Sequence, residues 1–594
     1  MGGLHAQVLV VGGGPVGMLL AAELAAGGVD AVVVEPGLAA SRRPKATTLH
    51  ARAVQCLARR GYVFPPASGA SPVRGSMPAG PGAGTVPGRG AGSSEGAASV
   101  SGSGAVEGRA MPFHFAGIGG LSISAPAGEP VPILKTPQIE LERLFEGRAR
   151  SAGVRVLRGY RMTELAQDGT GVRVSVAGPR GGREVWCVGY VVGADGARST
   201  VREVSGIGSD VGAPTVSATM GAVRVAEGAE VEVGWHRTPR GWLVAKRGSQ
   251  GRTVLQTLVW GDSSADRRLP LTVDEFSQEV SRVAGRDIAL SDGRWLSRFS
   301  DFTRLARTYR AGRVFLAGDA AHVHFPVGGQ GLTTGVLDAL NLGWKLALVV
   351  RGAADDELLD TYGAERRPAA ERVIHNTRAQ VALMRPGAEA DSLRALVAEL
   401  VESDGGNDFL AGMISAQDTV LPAGVRGRSS WEGRFLDSVD LVTGEGPSDV
   451  IGVLGKGVEP VLLLLGDGTE HYAQTAQAWA RSLRVVRCRP VRAVGCAALL
   501  VRPDGYVSWA SDGGAPLAEA LPALFGAGGA DDDAKVDAGN DGGVDAGAGA
   551  EAGSDPGEDT DGSVGVHADP DAGGGSVVGG AASASGLLPL ETVV

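Results

Sequence analysis

Three apolar stretches open the chain. Gln7–Val11 and Ala31–Val34 are short and valine-rich, as buried strands are, while Met18–Ala26 between them has the length of a helix. A glycine turn separates the first strand from the helix and Glu35 closes the second strand, so the pattern predicts a βαβ unit. Apolar positions at Ile139, Leu141, Leu144 and Phe145 predict a helix leading into a strand at Val154–Leu157. Strands are predicted at Val172–Val176 and Glu184–Val192. Between Ala218 and Trp260, the runs Val231–Trp235, Trp242–Ala245 and Thr253–Val259 predict an antiparallel sheet separate from the βαβ unit. Helices return from Thr334 to about Ala382. A last unit, Arg426–Phe525, carries predicted strands at Val461–Leu465, Val485–Val486 and Ala498–Val501 and a turn at Arg502–Gly505.

Two stretches break this patterning. Pro65–Gly108 is a low-complexity Gly/Ser/Ala/Pro segment that cannot bury enough apolar surface to offset its ordering entropy, and is expected to be a flexible insertion. After Phe525 the chain becomes an acidic Gly/Ala/Asp tail, expected to be disordered. From Asp531 to Glu591 the tail holds fourteen acids against Lys535 alone. The whole chain of 594 residues has a net charge of −10, but the body without that tail stands near +3. A nearly neutral body gives no electrostatic case for nucleic acid or a membrane surface as partner. The four cysteines, Cys56, Cys187, Cys488 and Cys496, form no CxxC and sit in no zinc-ligand spacing, so no metal is expected and reduced thiols in a cytoplasmic protein are. The glycines and proline at 12–15 interrupt the N-terminal apolar run, which has no basic lead-in and so does not read as a signal peptide.

Gly12-Gly13-Gly14-Pro15-Val16-Gly17 lies between the first strand and its helix. Gly12 permits the tight turn, Gly14 lets the backbone approach a pyrophosphate, and Gly17 lets the helix pack on the strand. The helix N-terminus would face the phosphates, and Glu35 could bind a ribose hydroxyl pair. This motif leaves FAD and NAD open. Two further junctions narrow it: an apolar strand entering Asp195-Gly196, and Val314–Ala317 delivering Gly318-Asp319 to a strand end. Asp319 could hydrogen-bond a ribityl hydroxyl.

These three motifs in this order, with Gly312–Ala347 reading GRVFLAGDAAHVHFPVGGQGLTTGVLDALNLGWKLA, resemble the group A flavoprotein monooxygenases, the family of para-hydroxybenzoate and phenol hydroxylases. The likeness runs from about Gln7 to Ala382 and is greatest to the branch that tailors aromatic polyketides. It implies an α/β architecture: a Rossmann-like FAD-binding domain (1–64, 109–210 and 297–382) with an inserted antiparallel substrate sheet (211–296). The unit at 426–525 resembles the thioredoxin-like C-terminal domain of that branch, most clearly in Val501–Val507; a helical connection (383–425) is expected before it, and the tail (526–594) has no counterpart in the family. The resemblance implies non-covalent FAD, with NADPH or NADH as donor and O2 and a small aromatic molecule as substrates; a homodimer stays open. By position it implies Lys45 at the FAD ribose and pyrophosphate, Arg52 at a frequently basic site, and Gln138 beside the flavin chain. It also implies Pro326, Gly329, Gly331, Leu332 and Thr333 against the isoalloxazine, where Thr333 replaces the usual asparagine.

The reaction implied is hydroxylation of an aromatic ring through a flavin C4a-hydroperoxide, with no catalytic base assigned. Baeyer–Villiger insertion or epoxidation on the same scaffold is one alternative, and a flavoprotein that only sequesters an aromatic ligand is another. Trp235, Trp242 and Trp260 on the predicted sheet are candidate substrate-pocket residues, with packing as the default for large aromatics. His322 and His324 flank the flavin loop; a catalytic base is one reading, with loop histidines satisfied by backbone as the default.

Overall fold

The computed structural model describes residues 5–41, 45–62, 109–261, 270–422 and 429–526. All of these fall in one unit, and a second, 532–591, lies outside the described residues, as does the predicted insertion Pro65–Gly108. Five parallel strands form the middle of that unit, in the order Val314–Leu316, Arg183–Gly193, His5–Val11, Ala31–Glu35, Arg155–Arg158. Their valines pack on both faces, as parallel sheets covered by helices require, and Val8, Val10, Val32, Val33 and Val34 are fully buried. The register sets Val11 opposite both Val34 and Gly193, and Gly193 opposite Leu316. The glycine turn, Glu35, the Asp195-Gly196 turn and the Gly318-Asp319 turn therefore leave the sheet at one edge, the carboxyl ends where such sheets bind ligands.

The first helix spans Pro15–Ala26, three residues earlier than its apolar pattern predicts. Pro15 takes the first helical position, where its missing N–H removes no hydrogen bond. This helix packs against two others, Gln138–Ser151 and Gly331–Val350.

The second sheet is antiparallel, in the order Gly234–Thr238, Gly241–Arg247, Thr253–Trp260, Val216–Val225, Leu290–Ser300. Strand alternation gives it two buried faces. Leu243, Ala245 and Leu255 pack on Phe276, Val280 and Val283 of the helix Val273–Ala284. Trp242, Leu258, Ala218 and Phe299 point the other way, into a cluster with Phe325 and Val327. The sheet thus lies over the loop that follows Asp319. Its first strand sits at 234–238 rather than the predicted 231–235. The Leu290–Ser300 strand was not anticipated, because Asp292, Gly293 and two register shifts against its partner interrupt the alternation.

The expected domain edges at 210/211, 296/297 and 382/383 need correction. They cut the strands Ser209–Gly212 and Leu290–Ser300 and the helix Asp360–Met384, each of which is continuous. A hairpin, Arg109–Phe115 with Ile118–Ala125, was also missed. Its two-residue turn puts Ala116 and Gly117 at positive φ, a conformation for which Ala116 gives no sequence signal. Helices Ala388–Glu402 and Asp404–Ser415 cover it.

The C-terminal sheet runs Gly446–Asp449, Asp440–Thr443, Arg484–Pro490, Val461–Leu465, Ala498–Val501, Val507–Ala510. Val461–Leu465 is parallel to Arg484–Pro490 and antiparallel to Ala498–Val501, which is antiparallel to Val507–Ala510. That is the mixed order of a thioredoxin-like core. Burial pushes the Cys488 and Cys496 thiols up to about 11, so neither is a ready thiolate at neutral pH.

Arg502 joins this unit to the helices. Its guanidinium donates to both oxygens of Glu365 at 2.7 and 2.8 Å and to Asp504 at 3.0 and 2.6 Å, and Lys345 reaches Glu365 at 2.8 Å. Removing the cation from a buried network leaves carboxylates uncompensated. Arg502→Met should therefore destabilise the protein by about 3–5 kcal/mol, measured as a lower denaturant midpoint; an unchanged midpoint would show that the contact carries no stability.

Candidate active site

At the end of the first strand Gly12 adopts φ +111, and a Cβ there would lie 2.3 Å from the Ala194 carbonyl oxygen, so only glycine lets the two strand ends meet. Gly17 is excluded from change by the Gly12 carbonyl, 2.0 Å from its Cβ position. Gly14 is different: a Cβ on it would meet nothing within 4 Å. It faces open space at a helix N-terminus that has no side-chain cap, where unpaired N–H groups favour an anion. Glu35 is fixed beside it by Gly13 N and Gly37 N, each donating to a different carboxylate oxygen at 2.7 Å. The sequence motif gave Gly13 no role, yet a Cβ there would strike the Glu35 Cβ at 2.8 Å.

The Asp195 carboxylate folds back on its own turn, accepting from Val201 N at 3.1 Å, while Gly196, at φ +84, faces open space. Asp319 stands among many protein atoms yet is exposed, which places it on the wall of a deep cleft. That crowding pushes its carboxyl up, while the charges of His322 and Lys45 pull it back. Lys45, exposed itself, is thereby within electrostatic range of Asp319. Gln138 joins the same wall through its backbone N–H, which donates to Ala46 O at 3.0 Å.

Below Asp319 lies a residue that the sequence reading missed. Asp338, fully buried, accepts from Gly318 N at 3.0 Å and from Arg366 Nε at 2.9 Å, and His322 Nε2 lies 2.7 Å away. Burial pushes its carboxyl up, but His322 and Arg366 outweigh that and hold it below the usual range. An acid in the apolar stretch TGVLDALNL is the signal that could have found it.

The loop beyond carries Pro326, exposed, and Gly328 and Gly329 at φ +76 and +65. Gly331 opens the helix to Val350, with Leu332 buried behind it. His50 pins this loop: its Nε2 lies 2.8 Å from Gly328 O, and its N–H donates to the Thr333 hydroxyl at 3.0 Å. Thr333 therefore spends its oxygen on the strand Thr48–His50. His324 is a buried loop histidine with Nδ1 2.9 Å from Phe325 O.

Two expected site residues are corrected. Arg52 turns away from the cleft: it donates to Gln55 at 2.9 Å and Gln417 O at 2.7 Å and lies 3.6 Å over the Phe435 ring. A long cation in the first turn of the helix Ala51–Arg59 finds its carbonyl and aromatic partners at Gln417 and Phe435 instead. Trp242 is packed rather than lining, 2% exposed, with Nε1 donating to Met384 O at 2.6 Å. Trp235 and Trp260 share its sheet face and are half-buried. Among the described residues no group of three metal-ligating side chains converges, and no helix is long and apolar enough to cross a membrane.

A family model described as FAD binding domain matches residues 5–377, and one described as aromatic-ring hydroxylase, C-terminal, matches 429–528. The chain belongs to the FAD-dependent aromatic-ring hydroxylases. The hydroxylase is 36% identical over 541 residues to the 12-dehydrotetracycline 5-monooxygenase/anhydrotetracycline 6-monooxygenase of Streptomyces rimosus, covering 88% of this chain and 99% of that protein. It is 34% identical over 525 residues to the dialkyldecalin synthase of Streptomyces rugosporus, covering 87% of this chain and 98% of that one. The solved structure of OxyS anhydrotetracycline hydroxylase from S. rimosus matches it with a TM-score of 0.74 at 33% identity, over 88% of this chain and 99% of that one. The open cradle at Gly14, the exposed Asp319 and the space at Gly196 fit the dinucleotide that this family holds.

The two buried loop histidines make the hydroxylase acid-sensitive. Burial pushes His50 and His324 down to about 4, whereas an unfolded histidine titrates near 6.5. Below that value the unfolded chain takes up protons that the folded rings refuse, so stability falls between pH 6.5 and about 4. The loss is on the order of 3 kcal/mol for each ring by pH 4. Unfolding midpoints of the native protein and His324→Gln across this range should converge as the pH falls; parallel curves would contradict the assignment.

Proposed function

We propose that the hydroxylase inserts one atom of O2 into the ring of a planar, polycyclic aromatic polyketide, with NADPH or NADH supplying two electrons and the second oxygen atom leaving as water. One observation carries this reading: the parallel register brings three nucleotide-binding turns to one sheet edge, directly under an antiparallel sheet whose facing side is rich in aromatics. The near full-length likeness to a tetracycline monooxygenase supports the polycyclic substrate.

In this reading Gly12, Gly14, Pro15, Val16 and Gly17 hold the pyrophosphate and Glu35 the adenosine ribose. Lys45, Gln138, Gly318 and Asp319 line the ribityl and pyrophosphate path, and Asp195 shapes its turn so that Gly196 can lie against the cofactor. Pro326, Gly329, Gly331 and Leu332 border the ring system, where the N-terminus of the Gly331–Val350 helix favours negative charge. Bound FAD supplies oxygen activation; the protein supplies position, charge and a site shielded from water. Trp235 and Trp260 offer flat apolar surface to the substrate, and a polycyclic ring buries more of it than a single ring at about 25 cal/mol per Å².

The likeness to a dialkyldecalin synthase favours a second reading, in which the flavin fold serves a ring-forming reaction. Oxygen decides between them. Under labelled O2, a polycyclic phenol should gain one labelled atom, and it should accelerate NADPH-dependent flavin reduction far more than a simple phenol does. Equal stimulation and coupling by the simple phenol would point to a catabolic phenol hydroxylase, and conversion without O2 consumption to the synthase reading. Asp319→Ala should weaken FAD retention by about 1.5–3 kcal/mol, measured as FAD affinity of the apoprotein; undiminished affinity would remove Asp319 from the ribityl path.

A further inference from the structure

Two lysines that the nucleotide motifs do not involve, on separate strands, lie within electrostatic range of each other. Lys135 ends the strand Ile133–Lys135, opposite Thr48, and its Nζ donates to Thr48 Oγ1 at 2.9 Å. Thr48 in turn borders the flavin loop: its Cβ lies 3.4 Å from where a Cβ on Gly329 would sit. Lys246 comes from the other side, on the Gly241–Arg247 strand, with the alternation that puts Trp242 and Val244 on the inner face of the substrate sheet. Between them runs an aromatic path: Lys135 Nζ is 5.4 Å from the Phe113 ring, Phe113 stacks on His114 at 4.9 Å, and His114 tilts against Trp235 at 4.9 Å.

Both lysines are open to solvent and crowded by protein, as side chains lining a cleft are. Among the described residues neither forms an ion pair; burial and the like charge of Lys246 disfavour the Lys135 ammonium, and burial disfavours that of Lys246. Two partly desolvated cations without a carboxylate between them are costly, and an incoming anion relieves both terms.

We propose that Lys135 and Lys246 jointly bind an ionised oxygen of the substrate, the phenolate of a polycyclic phenol or the enolate of a β-dicarbonyl fused to it. The inference rests on the hydroxylation reading and adds the substrate's required acidic oxygen. On binding, the O–H bond breaks, the proton leaves to solvent and the electron pair stays on oxygen. That raises the electron density of the ring carbon to be hydroxylated. Phe113, His114 and Trp235 flank the ring. The surrounding titratable groups are consistent with this role. Burial holds His114 and His50 down to about 4, so both are uncharged at neutral pH, and burial with the charge of Lys246 brings Lys135 down to about 8.

The test uses the FAD-loaded protein and alizarin, a dihydroxyanthraquinone whose phenolate absorbs to the red of the flavin. Bound alizarin should ionise at least about one pH unit lower than free alizarin. Lys135→Met and Lys246→Met should each remove most of that shift and weaken binding at pH 7.5 by roughly tenfold, with FAD content and thermal midpoint unchanged. Lys246→Arg should keep both. Alizarin that binds but titrates as it does in water, or a shift that survives in both Met variants, overturns the lysine assignment and leaves the hydroxylation reading standing. No binding by the native protein overturns both, because the cleft would then not admit a polycyclic phenol.

Discussion

Asp338 has no contact with water, and three segments depend on it for a partner. It accepts from the backbone of Gly318 and from Arg366, and it lies against His322, so it fixes the turn bearing Asp319 to the Asp360–Met384 helix and to the loop leading to the flavin site. A buried carboxylate is tolerable only when its partners are complete, and here the partners are also the parts of the cleft. The same Gly331–Val350 helix starts with Gly331 at the cleft. It carries Asp338 two turns on, and farther along Asn341 and Lys345 meet Glu365 beside Arg502. One helix thereby sets the distance from the cofactor cleft to the C-terminal unit.

The cleft itself follows from two sheets with different periodicities. In the parallel sheet, register alone collects the ends of four strands, so residues as far apart as Gly12 and Asp319 share an edge. In the antiparallel sheet, alternation divides residues between a helix-covered face and a face turned to the flavin loop. The first arrangement suits a long, anionic cofactor, because turns and a helix N-terminus present backbone N–H groups. The second suits a flat apolar ligand, because side chains stand at regular intervals on a twisted surface. Lys135 comes from the two-stranded pair Thr48–His50 with Ile133–Lys135 and Lys246 from the antiparallel sheet, which is why neither belongs to a recognisable motif.

The C-terminal unit keeps the thioredoxin-like strand order but has thiols buried and pushed up, and its polar contacts go to the helices of the FAD-binding part. Arg52 belongs with these contacts. Its stacking on Phe435, the Arg59–Glu129 ion pair at 2.6 Å and the Arg59 donation to Leu436 O at 2.8 Å make the Ala51–Arg59 helix a joint between units.

The sequence by itself determined what local chemistry can specify. The glycine spacing at 12–17, the valine runs and the Asp-Gly and Gly-Asp junctions each have one cheap conformation, and together they fixed the βαβ start, the cofactor class and the family. Only tertiary structure decided where long or amphipathic side chains point, since a lysine, an arginine or a tryptophan is compatible with several surroundings. Arg52 went to the neighbouring unit, Trp242 into packing, and the Thr333 oxygen to His50, while Lys135 and Lys246 came within electrostatic range of each other. The Asp338 partners lie 16 to 28 residues away in sequence, on a turn, a strand and a second helix, and no local pattern links them. Packing brings them together, and burial then makes their pairing obligatory.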